Sequence, residues 1–382
     1  MKRLLLALAM VPATMSWSAI AAHPQYSFTR IADDTGPIGE IGVAPVAIND
    51  AGQVAFVANL VTGKPAVMVG NGGPLTTVAD TSSVFQSIGF ADLFNRQRPT
   101  HGFPAIDGLG QVSFGAIRTN HVSGVFAGAG GAVSIVDTTA GVIAFEGDPY
   151  SSGSGSLTAV EANVLIANRL RQAILVGNGG SLTRIADTSQ TFAVLDADPR
   201  INRNGQVAFH GILQDGREGI FVGNGGAVTT IADTSGPYAS FSDAPAISDE
   251  GEVLFQATVK ATSDTPEISG LFLSSAGHIK TVADATGHYV SFGFAPAINA
   301  QGQIAFLGTT RFGKVGIFSG TDSKLERVLA IGDDLDDSTV VDLSVLSFRT
   351  GLNNSGQIAF VAQLADGRTG VYRGDLKRRG DQ

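Results

Sequence analysis

The sequence predicts an all-β protein: a seven-bladed β-propeller with four antiparallel strands in each blade and a ring closed by the N-terminal strand. Three observations lead to this prediction. A strand-and-turn unit recurs about every 50 residues, the 382 residues include 49 glycines, and one strand is displaced from its unit to the chain start. Glycine at about twice its usual ~7% indicates many turns between short strands.

The first recurring element is a turn of the form N-x-x-G followed by a strand. Asn at the first position and Gly at the fourth suit a type I turn, with Gly accepting a positive φ where the strand begins. The strand alternates with period 2 and is apolar on both sides, as expected for a sheet packed between two neighbours. The copies are INDAGQVAF (48–56), IDGLGQVSF (106–114), INRNGQVAF (201–209), ISDEGEVLF (247–255), INAQGQIAF (298–306) and LNNSGQIAF (352–360). One interval between copies is about twice as long as the others, and it contains a degenerate unit at residues 157–180.

A second strand follows each turn, and it occurs seven times. Its copies are AVMVG (66–70), GVFAG (124–128), AILVG (173–177), GIFVG (219–223), GLFLS (270–274), GIFSG (316–320) and GVYRG (370–374). An inner strand before each turn, such as FGFAPAI (292–298), and an outer strand after the second strand give four strands per unit. This is the composition of a propeller blade, so the count predicts seven blades.

The outer strand ends in Asp and follows only six of its seven partners. These copies are LTTVADT (75–81), VSIVDTT (133–139), LTRIADT (182–188), VTTIADT (228–234), IKTVADA (279–285) and LERVLAIGD (325–333). The seventh, FTRIADDTG (28–36), precedes everything else. A linear array would begin and end on whole units, so the displacement predicts that the two chain ends pair and leave no open sheet edge. We expect the loop Asp residues to form Asx-type bonds with the backbone; a ring of metal ligands is the alternative.

The chain ends are predicted to lie outside the fold. Lys2 and Arg3 precede an apolar run, which is followed by an Ala19-Ile20-Ala21 stretch typical of a secretory signal. We therefore divide the chain into a signal peptide (1–22), a single propeller domain (23–375) and a short basic tail (376–382). A cleaved signal predicts a secreted or periplasmic protein, and the lack of cysteine fits export without oxidative folding.

Composition excludes several functional classes. A hydrophobic fraction of 43% is too high for a disordered chain, and no mature segment reaches the ~20 apolar residues of a membrane span. The absence of cysteine excludes disulfides, thiolate nucleophiles and cysteine-ligated metals. A net charge of -9 argues against nucleic-acid binding. The sequence contains no P-loop, Rossmann fingerprint, G-x-S-x-G or H-E-x-x-H motif.

The run P-A-I-N-x-x-G-Q-I-A-F followed by G-I-F resembles the repeat of TolB-like propellers, also called the WD40-like PD40 repeat. The resemblance covers residues 26–375 and implies the propeller fold. This sequence has Asn or Ser with variable residues where the TolB repeat has S-P-D-G, and it lacks the extra N-terminal domain of TolB. The resemblance therefore implies no role in the Tol envelope complex. The chain also resembles exported bacterial propellers with N-x-x-G-x-x-x-F repeats, which imply no particular activity.

Residues that break the repeat are the candidates for function, because packing explains the repeat itself. In a propeller, a hairpin loop joins the Q-V-A-F-like strand of each blade to the strand that follows it. These hairpin loops and the loops between blades gather on one face, here called the hairpin face. The insertion 88–103 in blade 2 is predicted to bring Arg96, Arg98 and His101 to this face, near Arg118 and His121. A solvated basic loop is the alternative.

Other repeat-breaking residues lie in the later blades. They are Tyr150 in the insertion 146–156, Arg169 and Arg171 in blade 3, Asp198 and Arg200 in blade 4, His288 and Tyr289 in blade 6, and Arg349 in blade 7. Arg349 occupies the place of Asp198, so an ion pair across the channel is a structural alternative. For His210, in the middle of a strand, we expect the role of a satisfied core histidine.

The hairpins carry a cation in every blade, and this pattern favours an anionic ligand. The cations are Lys64, Arg118, Arg169 with Arg171, Arg217, Lys260, Arg311 with Lys314, and Arg368. The alternative is that these residues serve solubility and that the loop Asp residues cancel their field.

These features predict a protein that binds an acidic, uronate-containing polysaccharide on the hairpin face and cleaves it by β-elimination if it is an enzyme. Proton abstraction beside a carboxylate needs a base and a cation. His101, His121 and Tyr150 are the catalytic candidates, and Arg96, Arg98, Arg118, Arg169, Arg171, Arg200, His288, Tyr289 and Arg349 are the substrate-binding candidates. Polysaccharide lyases with this fold use His or Tyr as base and acid, and Arg or Lys to neutralise the uronate carboxylate. The prediction rests on this analogy of fold.

Two other classes of function remain open. One is a non-catalytic envelope or extracellular scaffold that binds a protein partner. The other is hydrolysis by a carboxylate pair such as Glu146 with Asp148, or by the acidic loop 332–337. We expect a monomer without a cofactor, with structural calcium left open.

Overall fold

The computed structural model describes residues 26–41, 45–89, 103–129, 132–137, 141–145, 148–153, 155–196, 198–321, 324–343 and 351–377. Within these ranges the secondary structure consists of strands, and they form seven separate sheets. Each sheet is one blade of a propeller, which confirms the predicted fold. No helix in this part of the chain is long and apolar enough to cross a membrane.

The blades follow one another along the chain, and blades 1 to 6 share one strand order. Blade 1 has β2 (Ile38–Ile41), β3 (Ala47–Ile48), β4 (Val54–Leu60), β5 (Pro65–Gly70) and β6 (Thr76–Asp80). Blade 2 has β7 (Phe85–Ile88), β8 (Ala105–Ile106), β9 (Val112–Arg118), β10 (Ser123–Gly128) and β11 (Ala132–Asp137). Blade 3 has β12 (Val142–Phe145), β13 (Tyr150–Ser151), β14 (Thr158–Ile166), β15 (Arg169–Gly177) and β16 (Thr183–Asp187).

Blade 4 has β17 (Phe192–Leu195), β18 (Arg200–Ile201), β19 (Val207–Leu213), β20 (Glu218–Gly223) and β21 (Thr229–Asp233). Blade 5 has β22 (Tyr238–Phe241), β23 (Ala246–Ile247), β24 (Val253–Val259), β25 (Ile268–Ser275) and β26 (His278–Asp284). Blade 6 has β27 (Tyr289–Phe292), β28 (Ala297–Ile298), β29 (Ile304–Thr310), β30 (Val315–Thr321) and β31 (Lys324–Ala330). In these blades the inner strand is broken into two segments, and both segments pair with the Q-V-A-F-like strand, as β2 and β3 pair with β4 in blade 1.

Blade 7 combines the two ends of the chain. It has β32 (Asp334–Leu335), β33 (Ser338–Leu343), β34 (Ile358–Leu364), β35 (Thr369–Leu376) and the N-terminal strand β1 (Tyr26–Asp33). Strand β1 pairs antiparallel with β35, from Tyr26 opposite Leu376 to Asp33 opposite Gly370. The predicted closure of the ring by the N-terminal strand is therefore confirmed.

The core lies between neighbouring blades. The Phe of each Q-V-A-F-like strand is almost completely buried, as Phe56 and Phe209 show with exposures of 1% and 0%. Phe209 stacks on Phe221 of the next strand with ring centroids 5.8 Å apart. Both faces of a blade are apolar because each sheet is covered on both sides, and this burial is the main stabilising term.

The N-x-x-G turns do more than reverse the chain. Asn353 accepts hydrogen bonds at Oδ1 from the N–H groups of Ser355 (3.0 Å) and Gln357 (2.9 Å), and Gly356 has φ +77°. The Nδ2 of Asn353 donates to the carbonyl of Asn49 in blade 1 at 2.8 Å. The same bond to the turn of the following blade is made by Asn49 to Asp107 (3.1 Å), Asn202 to Ser248 (2.9 Å) and Asn299 to Asn353 (2.9 Å). The turn asparagines therefore link blades around the ring, including the junction between blades 7 and 1.

Candidate functional site

Residues 148–153 of the blade 3 insertion lie at one end of the central channel. This end carries the N-x-x-G turns and is here called the turn face. The carbonyl of Gly153 accepts a bond from the N–H of Asp50 in blade 1 (3.2 Å), and that of Gly155 accepts one from Gly108 in blade 2 (2.9 Å). A Cβ on Gly153 would lie 2.8 Å from the carbonyl oxygen of Ile48. The segment therefore lies directly on the turns, and only glycine fits there.

Tyr150 and Arg200 lie at the same end of the channel. The Arg200 guanidinium sits 4.3 Å from the centre of the Tyr150 ring, and the Tyr150 hydroxyl donates to Asp198 at 2.9 Å. All three side chains are buried. Tyr150 and Arg200 border a cavity of about 80 Å³, which is smaller than the ~150 Å³ cavity that admits benzene. This end of the channel therefore has no room for a sugar ring.

The structure separates Tyr150 from His121, which the sequence grouped as catalytic candidates. His121 is in the β9–β10 turn on the hairpin face, where it has φ +64° and its N–H donates to the Arg118 carbonyl at 2.8 Å. Tyr150 pairs with Ala159 near the turn face of blade 3. The two side chains lie at opposite ends of their blades, so the expectation that they act together is wrong. The Arg118 guanidinium packs over the Phe126 ring at 4.6 Å.

His210 is held by carboxylates on both ring nitrogens. Its Nδ1 contacts Asp196, and its Nε2 lies 3.2 Å from Oε1 of Glu218. Burial alone would lower the pKa of His210, but the two carboxylates outweigh it and raise the pKa above its usual value. Glu218 also accepts the N–H of Phe241 in blade 5 at 2.6 Å. His210 is therefore a buried histidine at a blade junction, as expected from the sequence; it lies between two carboxylates, and its Nε2 forms no hydrogen bond of good geometry.

The pKa of Asp243, in the same region, is also shifted. The surrounding protein raises the pKa of its carboxyl by desolvation, and the charges of Asp198 and Asp196 raise it further. The carboxyl groups of Asp196, Asp198 and Asp243 therefore lie close enough together to interact. Among the described residues, no group of three or more His, Asp or Glu is arranged to hold a metal ion.

Three of the hairpin cations, Arg217, Lys314 and Arg368, are paired with carboxylates. Arg217 binds Asp233 at 2.6 Å, and Arg368 binds Asp336 at 2.6 Å and Asp366 at 2.7 Å. Lys260 donates to the backbone carbonyls of Thr234 and Gly236. These contacts favour the alternative that the loop Asp residues cancel the field of a cationic ring.

The loop Asp residues also form the expected Asx-type bonds. Five of them accept the N–H two residues further on; the pairs are Asp33 with Thr35 (3.2 Å), Asp80 with Ser82 (2.8 Å), Asp187 with Ser189 (2.8 Å), Asp233 with Ser235 (2.9 Å) and Asp284 with Thr286 (2.9 Å). Hydrogen bonds from Ser82 lower the pKa of Asp80. The structural interpretation of these residues is therefore confirmed.

Blade 3 has the most extended hairpin. Its strands β14 and β15 each run for nine residues and meet at Ala167 and Asn168, both with positive φ. Arg169 is exposed and Arg171 is partly buried. Asp187, the loop Asp of this blade, binds Arg184 at 3.1 Å instead.

His288 and Tyr289 are brought together in a groove on the hairpin face of blade 6. The groove has a volume of about 610 Å³, within the ~300–1,000 Å³ of typical small-molecule sites. Its walls are formed by Val282, His288, Tyr289, Thr310, Phe312, Lys314, Phe318, Leu325 and Arg327. The His288 and Tyr289 rings are edge to face with centroids 5.0 Å apart. Burial raises the pKa of Tyr289 to about 12, so its hydroxyl stays neutral.

Phe312 is the groove residue that the sequence analysis missed. It is 84% exposed at the tip of the β29–β30 hairpin. At the same hairpin position blades 4 and 7 have Asp215 and Asp366, whose carboxylates accept the N–H of Arg217 and Arg368, each at 3.1 Å. In the sequence, blade 6 has F-G-K where blades 4 and 7 have D-G-R, and this difference could have identified Phe312. Phe312 lines the groove together with Phe318 and Leu325, so it adds an exposed ring to an apolar part of the groove wall.

The groove also carries cations with little compensation. Lys314 Nζ lies 3.1 Å from Asp333, and Arg327 lies 3.6 Å from the same carboxylate. Among the described residues these two cations thus share one carboxylate. Four of the predicted site residues, Arg96, Arg98, His101 and Arg349, lie outside the described residues.

Solved structures with the same fold include enzymes and peptidase domains. An oligogalacturonate lyase from Vibrio parahaemolyticus aligns with a TM-score of 0.56 and 10% identity over 92% of this chain and 97% of that one. The propeller domain of the Trilobed protease from Pyrococcus furiosus, described as having an open velcro topology, aligns with a TM-score of 0.55 and 10% identity over 90% and 98%. An acylaminoacyl peptidase from Pyrococcus horikoshii aligns with a TM-score of 0.56 and 9% identity over 91% and 54%. At these identities the similarity establishes the β-propeller fold alone.

No curated protein matches the sequence. A family model does match, and its match spans residues 138–373, from the blade 3 inner strand to the last strand of blade 7. Because this stretch is more than half of the chain, the protein belongs to the family of unknown function DUF7453.

Proposed function

We propose that this protein is an exported β-propeller that binds an acidic polysaccharide on its hairpin face, with the blade 6 groove as the binding site. The observation that carries the proposal is the combination of an exposed aromatic ring and two under-compensated cations around one groove. Phe312 offers a flat apolar surface on which the C–H face of a sugar ring can pack. Lys314 and Arg327 supply charge-assisted hydrogen bonds to a carboxylate.

Binding in this groove explains why blade 6 departs from its neighbours. In blades 4 and 7 the hairpin Asp ties the following Arg to the hairpin itself, with Nε to carboxylate distances of 2.9 Å. Phe312 cannot do so, and Lys314 therefore turns to Asp333 and the groove. The replacement exposes an aromatic ring and leaves Lys314 without a hairpin carboxylate at the same place. Neither change stabilises the fold, but both suit the binding of a charged sugar.

Cleavage by β-elimination is the reaction that this groove would support. The reaction removes the C5 proton next to a uronate carboxylate, forms a C4–C5 double bond and breaks the glycosidic C4–O bond, and the leaving oxygen takes up a proton. It therefore needs a proton acceptor beside a cation that neutralises the carboxylate. His288 lines the same groove as Lys314 and Arg327. We therefore propose His288 as the base if turnover occurs, in place of the separated pair His121 and Tyr150.

The test is calorimetric titration of the full mature chain with an oligogalacturonate, and with an uncharged oligosaccharide of the same length. We expect binding of the charged oligomer alone, and Phe312→Asp, which restores the hairpin residue of blades 4 and 7, should weaken it at least tenfold. The control is Leu109→Ala, because Leu109 is also exposed, at 76%, but lies in a turn of the turn face. Wild-type protein that binds no uronate oligomer would overturn the proposal, and would favour a scaffold for a protein partner.

The same samples test for turnover. Growth of ultraviolet absorbance from an unsaturated product in the wild type, lost in His288→Ala with binding retained, would establish a lyase. Binding without any absorbance change in the wild type would limit the function to recognition.

A further inference from the structure

Blade 7 has a groove at the same place as the blade 6 groove. It has a volume of about 590 Å³ and includes Arg30, Asp336 and Tyr372 in its walls. Strand pairing shows the equivalence, since Arg30 lies opposite Tyr372 in blade 7 and Arg327 lies opposite Phe318 in blade 6. The hairpin cations also correspond, because Arg368 and Lys314 close their hairpins with the same backbone bond, at 2.8 Å and 2.9 Å.

In blade 7 a carboxylate of the protein fills the cationic part of the groove. Asp336 binds Arg368 at 2.6 Å and Arg30 at 2.9 Å, and it accepts the Tyr372 hydroxyl at 3.2 Å. Asp336 lies in the turn between β32 and β33; β33 is the inner strand of blade 7, and β32 is an extra strand that pairs with it. This hairpin thus delivers an acid to the pair of cations.

The corresponding cations of blade 6 have two carboxylates fewer, since Arg368 of blade 7 also binds Asp366 at 2.7 Å. In blade 7 the two cations contact Asp336 and also Asp33, which is 3.1 Å from Arg30 and 4.0 Å from Arg368. In blade 6, within the described part of the chain, Lys314 and Arg327 contact Asp333 alone. The loop that would deliver a second acid, residues 285–288, reads A-T-G-H and contains none.

We infer that Asp336 is an internal counterpart of the ligand, and that in blade 6 the carboxylate of a uronate takes the equivalent place between Arg327 and Lys314. This inference rests on the proposed function and deepens it by naming the two side chains that select the carboxylate. Phe312 then packs on the sugar ring while the two cations distinguish a uronate from a neutral hexose.

The decisive experiment removes the internal carboxylate. Asp336 has φ +52°, so Asp336→Gly keeps a backbone conformation that glycine adopts freely. In calorimetric titrations with oligogalacturonate, the stoichiometry should rise from one site per chain in the wild type to two in Asp336→Gly. Arg327→Gln should weaken the wild-type site at least tenfold, whereas Arg203→Gln, an exposed cation in a turn of the turn face, should have no effect.

The outcomes separate this inference from the proposed function. One site in both wild type and Asp336→Gly, or an Arg327→Gln variant that still discriminates uronate from neutral sugar, would overturn the inference and leave the proposed function standing. If the wild type binds nothing, the proposed function fails; stabilisation of Asp336→Gly against heat by galacturonate, absent in the wild type, would still support the carboxylate site of blade 7. Should the glycine variant not fold, Asp336→Asn removes the charge with the side-chain shape kept, and the same stoichiometry is read.

Discussion

Replacing Asn353 by alanine tests whether the turn asparagines hold the ring together. The side chain is 3% exposed, and it bonds three backbone groups: the N–H groups of Ser355 and Gln357 in its own turn and the carbonyl of Asn49 in blade 1. A net hydrogen bond contributes about 1 kcal/mol, and a buried group left unpaired costs about 1–3 kcal/mol. We therefore expect Asn353→Ala to lower the free energy of unfolding by about 3 kcal/mol.

The assay is urea unfolding at neutral pH, followed by fluorescence and circular dichroism. With a slope of about 3 kcal/mol per molar urea, the midpoint should fall by about 1 M. Asn353→Asp is the matched variant, because Asp107 occupies this position in blade 2 and accepts the N–H groups of Leu109 (2.9 Å) and Gln111 (2.8 Å). It keeps the turn and loses the donor to blade 1, so about 1 kcal/mol should be lost.

An unfolding free energy of Asn353→Ala within about 0.5 kcal/mol of the wild type would refute this reasoning, since it is well below one hydrogen bond. Equal losses for both variants would show that the link between blades, and not the turn, carries the effect.

Three further predictions concern the interior and the groove. For His210, burial opposes the charged form of the ring, but Asp196 and Glu218 raise its pKa. The contribution of the charged ring to the free energy of unfolding is therefore complete below pH ~6.5 and is lost as pH rises through the folded-state pKa. A stability difference between wild type and His210→Gln that does not change with pH would contradict this. Gly153→Ala should lower the free energy of unfolding by about 1–3 kcal/mol, whereas Gly287→Ala, with no atom within 4 Å of the added Cβ, should not; equal midpoints in urea would exclude the close approach. In alkaline absorbance titration, the difference between wild type and Tyr289→Phe should show a phenol with a pKa of about 12, and a value near the ordinary 10 would show that Tyr289 is open to water.

Much of the fold could be predicted because the repeat is written in local patterns. The N-x-x-G turns and the period-2 strands fix backbone conformation and burial within each unit, and seven second strands give seven blades. The displaced strand FTRIADDTG predicts the closing of the ring, because a strand without a neighbour along the chain must pair elsewhere. The same logic gave His210 as a core histidine, since it lies in the middle of a strand that packs between neighbouring blades.

The candidate site was only partly predictable. His288 and Tyr289 were singled out as residues that break the repeat, and they line the blade 6 groove. Phe312 was not predicted, although it replaces the hairpin Asp of blades 4 and 7, because it is neither charged nor titratable. The grouping of Tyr150 with His121 failed because residues close in the repeat can lie at opposite ends of a blade.

The sequence alone therefore determined the blade, the number of blades and the junction of the chain ends, all of which depend on short-range backbone geometry and burial. Only the tertiary structure decided which cation meets which carboxylate, because those contacts join residues from different strands and loops at distances set by the closed ring. It showed that Asp336 binds two cations in blade 7 and that the equivalent pair in blade 6 contacts fewer carboxylates. That difference in paired charge cannot be read from the linear repeat, and the proposed binding site in blade 6 rests on it.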